Sequence, residues 1–116
     1  VSSLRFKNTI NPLGPSINEL LKLKPVSFIY NESTGNAGQG EQVGFIAEEV
    51  SEIDPRLVVL DAEKKPYQVR YENLTSIIVK GFQELVAKVT GQEERLNKLE
   101  LKNIELENRI KLLESK

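Results

Sequence analysis

The chain has 116 residues, a net charge of −1, and neither Cys nor His. This excludes disulfides, thiolate nucleophiles and thiolate metal sites, and removes both the Ser-His-Asp triad and the commonest zinc ligand. The charge balance gives no nucleic-acid footprint, no apolar run approaches the roughly 18 residues of a membrane span, and no secretory signal is visible.

In chain order, Ser2–Lys7 alternates, with Leu4 and Phe6 to one side and Ser3, Arg5 and Lys7 to the other. It reads as a short, half-buried strand. Asn11-Pro12-Leu13-Gly14-Pro15 is a turn. Ser16 is placed to cap a helix from Ile17 to about Leu23, with Glu19 completing a capping box and Pro25 ending it. Val26–Tyr30 reads as a strand. Residues 31–42 carry three Gly and only Ala37 as an apolar residue, so they form a long loop or the tip of a projecting hairpin. Val43–Ala47 returns as a strand, and Glu48–Ile53 is a short helix stopped by Asp54-Pro55. Leu57–Leu60 and Pro66–Arg70 flank a charged turn and form a second hairpin. A helix starts at Tyr71, with Asn73 as its expected cap, and runs to the C-terminus. Gly81 and Gly91 fall inside it, each costing about 1 kcal/mol against Ala.

The last third holds the strongest pattern. With Phe82 at heptad position a, the a positions are Phe82, Val89, Leu96, Asn103 and Ile110. The d positions are Ile78, Leu85, Gln92, Leu99, Leu106 and Leu113. Nine of the eleven are apolar and the register does not break, which identifies a coiled-coil seam. Positions g are basic (Lys88, Arg95, Lys102, Arg109, Lys116) and positions e from Glu93 on are acidic (Glu93, Glu100, Glu107, Glu114). A parallel pair matches Lys88–Glu93, Arg95–Glu100, Lys102–Glu107 and Arg109–Glu114, whereas an antiparallel pair opposes like charges. The pattern selects a parallel homo-oligomer. Asn103 and Gln92 are polar layers that fix register at some cost in stability, and the mixed a/d residues leave the strand number open. Leu101, Ile104 and Leu112 fall on the outer face. Roughly 70 residues remain for a globular part, near the lower limit for a self-sufficient core, so oligomerisation is expected to add burial.

Four stretches together resemble one family. Ser2-Ser3-Leu4-Arg5-Phe6-Lys7 resembles its Ser-Asp-x-Arg-x-Lys opening, with Ser3 in place of Asp. Leu21 to Tyr30 (LKLKPVSFIY) is similar to its "LkPVsFxY" segment. Val43 to Val50 (VGFIAEEV) is similar to "GFIAQEV", with Glu48 in place of Gln. Tyr71-Glu72-Asn73-Leu74 through Lys80-Gly81-Phe82-Gln83-Glu84-Leu85 resembles "YxxLtxxlvkAIQEL". The family is the chaperone-of-endosialidase type intramolecular chaperone, the C-terminal autoprocessing domain of phage tailspikes, tail fibres and neck appendages. The resemblance implies a homotrimer that helps an upstream β-rich stalk of the same polypeptide to fold, then cuts itself off. The carried-over scissile bond is Val1–Ser2, with Ser2 as nucleophile, Lys7 as its partner and Ser3 and Arg5 in support. A fully processed chain would begin at Ser2. The chain begins abruptly at Val1 and reads as an unprocessed or disabled fragment. It also implies action in the host cytoplasm during virion assembly, on a domain released from or transiently attached to the tail appendage. No cofactor, metal, nucleic acid or membrane is expected.

The chemistry is consistent with these residues. A Ser hydroxyl needs a base, and without His the base is a Lys amine or a carboxylate. A lysine base must be neutral, a state favoured by burial or a neighbouring cation such as Arg5. Attack of Ser2 Oγ on the Val1 carbonyl would give an ester that water hydrolyses. In a straight strand, five residues span roughly 16 Å and place Ser2 and Lys7 on opposite faces. The dyad then requires a sharp bend near Ser3 or a Lys7 from a neighbouring subunit. Competing readings are a trimerisation module that stays attached, a scaffold binding a foreign helix, and a phosphate cradle at Gly35–Gly40, which lacks the P-loop ending. Glu48, Glu49, Glu52 and Asp54 read as a solvated face. Phe28, Tyr30, Phe45 and Tyr67 read as packing residues. The expected architecture is α+β: residues 1–70 form a domain with a small, mostly antiparallel sheet and short helices. Residues 71–116 are expected to form a long C-terminal helix in a parallel coiled coil, which the resemblance makes trimeric.

Overall fold

The computed structural model describes residues 1–116. The fold is α+β: two small antiparallel hairpins, two short helices and a long C-terminal helix. Residues 1–12 are exposed throughout, and the chain first enters the core at Leu13. Helix α1 is only Ile17–Leu20, shorter than expected, because the chain leaves it in a turn closed by Leu23 N–H to the Leu20 carbonyl (3.2 Å). The capping box does not form. The buried Ser16 hydroxyl donates to the Gly14 carbonyl (3.0 Å) and makes no capping bond.

Strand β1 (Val26–Phe28) pairs antiparallel with β2 (Gln42–Gly44), with Ser27 opposite Val43. Alternation places Val26 and Phe28 inward and leaves Val43 82% exposed. The connection is therefore a hairpin tip. It is wound into two 3₁₀ turns, Glu32–Thr34 and Ala37–Gln39. Gly44 lies where a Cβ would stand 2.8 Å from the Tyr71 hydroxyl and 3.3 Å from the Phe28 ring, so a larger residue there would make these side chains shift.

Helix α2 (Ala47–Ile53) buries Val50 and ends at Asp54. Asp54 is 6% exposed, not part of a solvated acidic face as the sequence suggested. It caps the 3₁₀ turn Pro55–Leu57 by accepting from the Arg56 N–H at 3.0 Å. The Arg56 guanidinium adds bonds of 2.7 to 3.2 Å to both carboxylate oxygens. Side-chain hydrogen bonding from Arg56 holds the Asp54 carboxyl below its ordinary 3.8. Strands β3 (Val58–Leu60) and β4 (Pro66–Val69) pair with Val58 opposite Val69, and register shifts between Val59 and Leu60. Asp61 Oδ1 closes their turn by accepting from Glu63 and Lys65 N–H, both at 2.9 Å. Tyr67, on β4, is 72% exposed and is not a packing residue. Strand alternation would put Tyr67 on the covered face with Val69, but the pairing passes from Gln68 opposite Val59 to Pro66 opposite Leu60 and skips Tyr67, which breaks the alternation there.

Helix α3 runs unbroken from Tyr71 to Glu114. Asn73 is not its cap: the Arg70 carbonyl already takes the Leu74 N–H (3.0 Å), and Asn73 Nδ2 donates to the Arg56 carbonyl (3.2 Å). Arg70 N–H donates to the Leu57 carbonyl (2.7 Å), completing a tie between the helix start and the 3₁₀ turn. The core is Val50, Leu57, Val58, Val69, Leu74 and Ile77, with Leu13, Leu20, Leu23, Phe45 and Ala47 packed on it. The chain divides into a compact unit, Val1–Gly81, and a second unit, Phe82–Lys116, which is helix throughout to Glu114. Gly81 is buried, and a Cβ built on it would overlap Leu20 Cδ1; the glycine lets α1 approach α3. Gly91 has nothing within 4 Å of such a Cβ.

The two helix glycines should therefore respond oppositely. Gly91→Ala is expected to raise stability by about 1 kcal/mol through helix propensity alone. Gly81→Leu, which turning Leu20 aside cannot accommodate, is expected to lower it by about 1–3 kcal/mol through overpacking. Denaturant unfolding at matched protein concentration checks both. Asp54→Ala should cost about 1–2 kcal/mol, because it removes a cap and a buried acceptor. A carboxylate with a lowered folded pKa contributes stability at neutral pH that is lost as pH falls below about 4, through the folded value. Acid unfolding of the wild type should lose this increment over that range, and Asp54→Ala should not.

Candidate functional site

The segment holding the expected cleavage site is not a strand. Leu4–Phe6 forms a 3₁₀ turn, with Phe6 N–H donating to the Ser3 carbonyl (3.1 Å) and Lys7 N–H to the Leu4 carbonyl (3.0 Å). The alternating pattern is real, but no strand pairs with it. An unpaired strand leaves its N–H and C=O groups without ladder partners, whereas a turn satisfies two of them locally. The turn changes the geometry that made a single-chain dyad difficult. A 3₁₀ turn rises about 2.0 Å per residue against about 3.3 Å in a strand, so Ser2 and Lys7 flank a contracted segment.

Ser3 enters the turn with φ −65° and ψ 142°, and Lys7 leaves it extended at φ −124° and ψ 147°. Val1, Ser2, Ser3, Arg5 and Lys7 are all exposed, and in the single chain no hydrogen bond joins Ser2 to Lys7. The Arg5 guanidinium lies 4.4 Å above the Phe6 ring, a cation–π contact worth about 0.5–1 kcal/mol at an exposed site. Exposure leaves the amine of Lys7 in water, without the desolvation a lysine base relies on.

The second candidate site is the seam of α3 within the unit Phe82–Lys116. Phe82, Leu85, Val89, Leu96, Leu99, Leu106, Ile110 and Leu113 are between 43% and 68% exposed, with Gln92 and Asn103 exposed between them. In the preceding unit, Ile78 is 49% exposed. Leu101, Ile104 and Leu112 on the outer face are exposed as well. A helix with this much uncovered apolar surface is not a solvated surface helix. Among its charges, Arg109 makes an exposed i,i+4 contact with Glu105 at 3.0 Å.

No group of three or more His, Cys, Asp or Glu is placed to hold a metal ion, and no helix is long and apolar enough to cross a membrane. The sequence reading missed the Asp54–Arg56 pair. Its signal was present as Asp-Pro-Arg, an acidic cap followed by Pro at the first helical position.

A family model described as chaperone of endosialidase, classed with the peptidases, matches residues 2–59, half of the chain. Among curated proteins none matches. The chain belongs to the chaperone of endosialidase family. The match starts at Ser2 and runs through both β1–β2 strands, α2 and into β3.

Proposed function

We propose that this chain is an intramolecular chaperone that trimerises through α3, assists folding of an upstream stalk of its own polypeptide, and then releases itself by cutting the Val1–Ser2 bond. The observation that carries this reading is the family match over residues 2–59, whose description is that of a chaperone. The uncovered α3 seam and its self-complementary charge order support the oligomer. In the proposed chemistry Ser2 Oγ attacks the Val1 carbonyl carbon, and Lys7 takes the hydroxyl proton and returns it to the Ser2 amine. The resulting Val1 ester is hydrolysed by water to a Val1 carboxylate and a regenerated Ser2 hydroxyl. Lys7 is exposed in the single chain, so the desolvation its role requires would come from assembly. Cutting would then wait for the oligomer.

A second reading is a trimerisation module that stays attached to its fibre. Ser3, which stands where the family opening has Asp, favours it.

Mass spectrometry of the domain behind its native upstream stalk separates the two. Wild type should yield a fragment beginning at Ser2, and Ser2→Ala and Lys7→Ala should stay full-length. Full-length wild type that still forms trimers would leave only the attached module. Changing Lys88, Arg95, Lys102 and Arg109 to Glu should abolish assembly of the variant alone. Sedimentation should show assembly restored when Glu93, Glu100, Glu107 and Glu114 are also changed to Lys in the same chain, because every parallel g-to-e pair is then opposite again. A doubly reversed chain that fails to assemble would contradict the parallel pairing.

A further inference from the structure

The compact unit carries two uncovered surfaces that match each other. The first is an open concavity of about 320 Å³, lined among others by Phe28, Tyr30, Ile46, Glu48, Tyr67 and Tyr71. Its volume lies at the lower end of the ~300–1,000 Å³ typical of binding clefts. The rings are built into it but not covered: Tyr67 is 72%, Tyr71 51% and Tyr30 38% exposed. Ring faces attract cations, Glu48 adds a carboxylate, and no lining residue is basic. This is chemistry for a cationic side chain on an apolar stem.

The second surface is the N-terminal arm. Over Val1–Lys7 it carries Arg5 and Lys7 and no acidic residue. Leu4 and Phe6 are 72% and 56% exposed, and Arg5 is already stacked on Phe6. Within one chain the arm is exposed along its whole length and does not fill the concavity of its own unit. Two of the departures from the resembled motifs, those that change charge, also compensate. Ser3 in place of Asp makes the arm one charge more positive, and Glu48 in place of Gln makes the concavity one charge more negative.

We infer that the aromatic concavity is a receptor for the Leu4–Lys7 arm of a second copy of this chain. This rests on the oligomer proposed above and goes beyond it, since it names a second contact between subunits. Docking removes Arg5 and Lys7 from water and orders Ser2 beside them, so the neighbouring subunit completes the cleavage site.

The chain has no cysteine, which makes the test direct. Full chains behind their stalk, one carrying Phe6→Cys and the other Tyr67→Cys, are co-expressed with different tags and oxidised. A disulfide joining the two tags is expected in most of the mixed oligomer. Adding Glu48→Lys to the Tyr67→Cys chain should reduce its yield at least threefold. Glu48→Cys in place of Tyr67→Cys provides a second attachment point, should the tyrosine change disturb the hairpin. Closure only within one chain carrying both cysteines would assign the arm to its own groove and overturn the inference. So would a trimer with no link, or a Tyr67→Cys thiol shielded from a maleimide but unlinked, which would mean that the stalk fills the groove. Native mass spectrometry of the parent chain keeps the premises apart. A monomeric parent defeats the proposed oligomer itself, whereas a trimeric parent without the link defeats only the docking.

Discussion

Burial of Leu74 and Ile77 against the cluster of Val50, Leu57, Val58 and Val69 is the contact on which the compact unit depends. The unit has only two two-stranded hairpins and two short helices, and a lone hairpin is marginal in water. The first turns of α3 supply the surface on which these pieces rest. The polar ties at that point fix the helix start: Arg70 N–H to the Leu57 carbonyl and Asn73 to the Arg56 carbonyl. Asp54 and Arg56 in turn hold the 3₁₀ turn that presents both carbonyls. Gly81 marks where this packing stops, because beyond it the same helix has Phe82 65% exposed. The helix therefore changes role over about one turn, from filling a core at Ile77 to presenting an open seam that already includes the half-exposed Ile78.

Much of this was legible in the sequence, for identifiable reasons. The two hairpins follow from short apolar runs bounded by turn residues, and α3 follows from a heptad pattern too long to be accidental. What failed was every inference that required knowing a neighbour. Ser2–Lys7 alternates as a strand does, but a strand needs a partner and none is present, so local 3₁₀ bonds form instead. Tyr67 alternates as a core residue does, but the pairing of its hairpin skips it and breaks the alternation. Ser16 and Asn73 have the chemistry of caps, yet Ser16 bonds back to Gly14 and Asn73 bonds across to Arg56. Gly81 looked like a cost in helix propensity, and only Leu20 in place shows why the glycine is needed. For the candidate site, residue types and order were readable, whereas the contraction by the turn was not.

The α3 seam combines strong direction with limited strength. Exposed ion pairs of the g-to-e type contribute about 0.2–1 kcal/mol each, so their value lies in rejecting the antiparallel arrangement. In the proposed oligomer Gln92 and Asn103 would give up apolar burial for register. On the proposed reading both choices suit a chaperone. The stalk upstream needs its three chains parallel and in step before it folds, and a seam that tolerates one register supplies that. Maximum affinity is not required of a part that leaves afterwards.

The same logic bears on the chemistry. An exposed Ser and an exposed Lys flanking one short turn are poor reactants, since nothing holds the hydroxyl against the Val1 carbonyl. On the proposed reading that weakness is an advantage in a single-use cut. A site competent in the lone chain would sever the chaperone from its client before the client had folded. A site whose nucleophile and base are ordered only when another subunit covers them makes cleavage report on assembly. On this view the exposed arm, the unfilled aromatic groove and the open seam are parts of one design. Each is incomplete in the single chain, and the same association would complete all three.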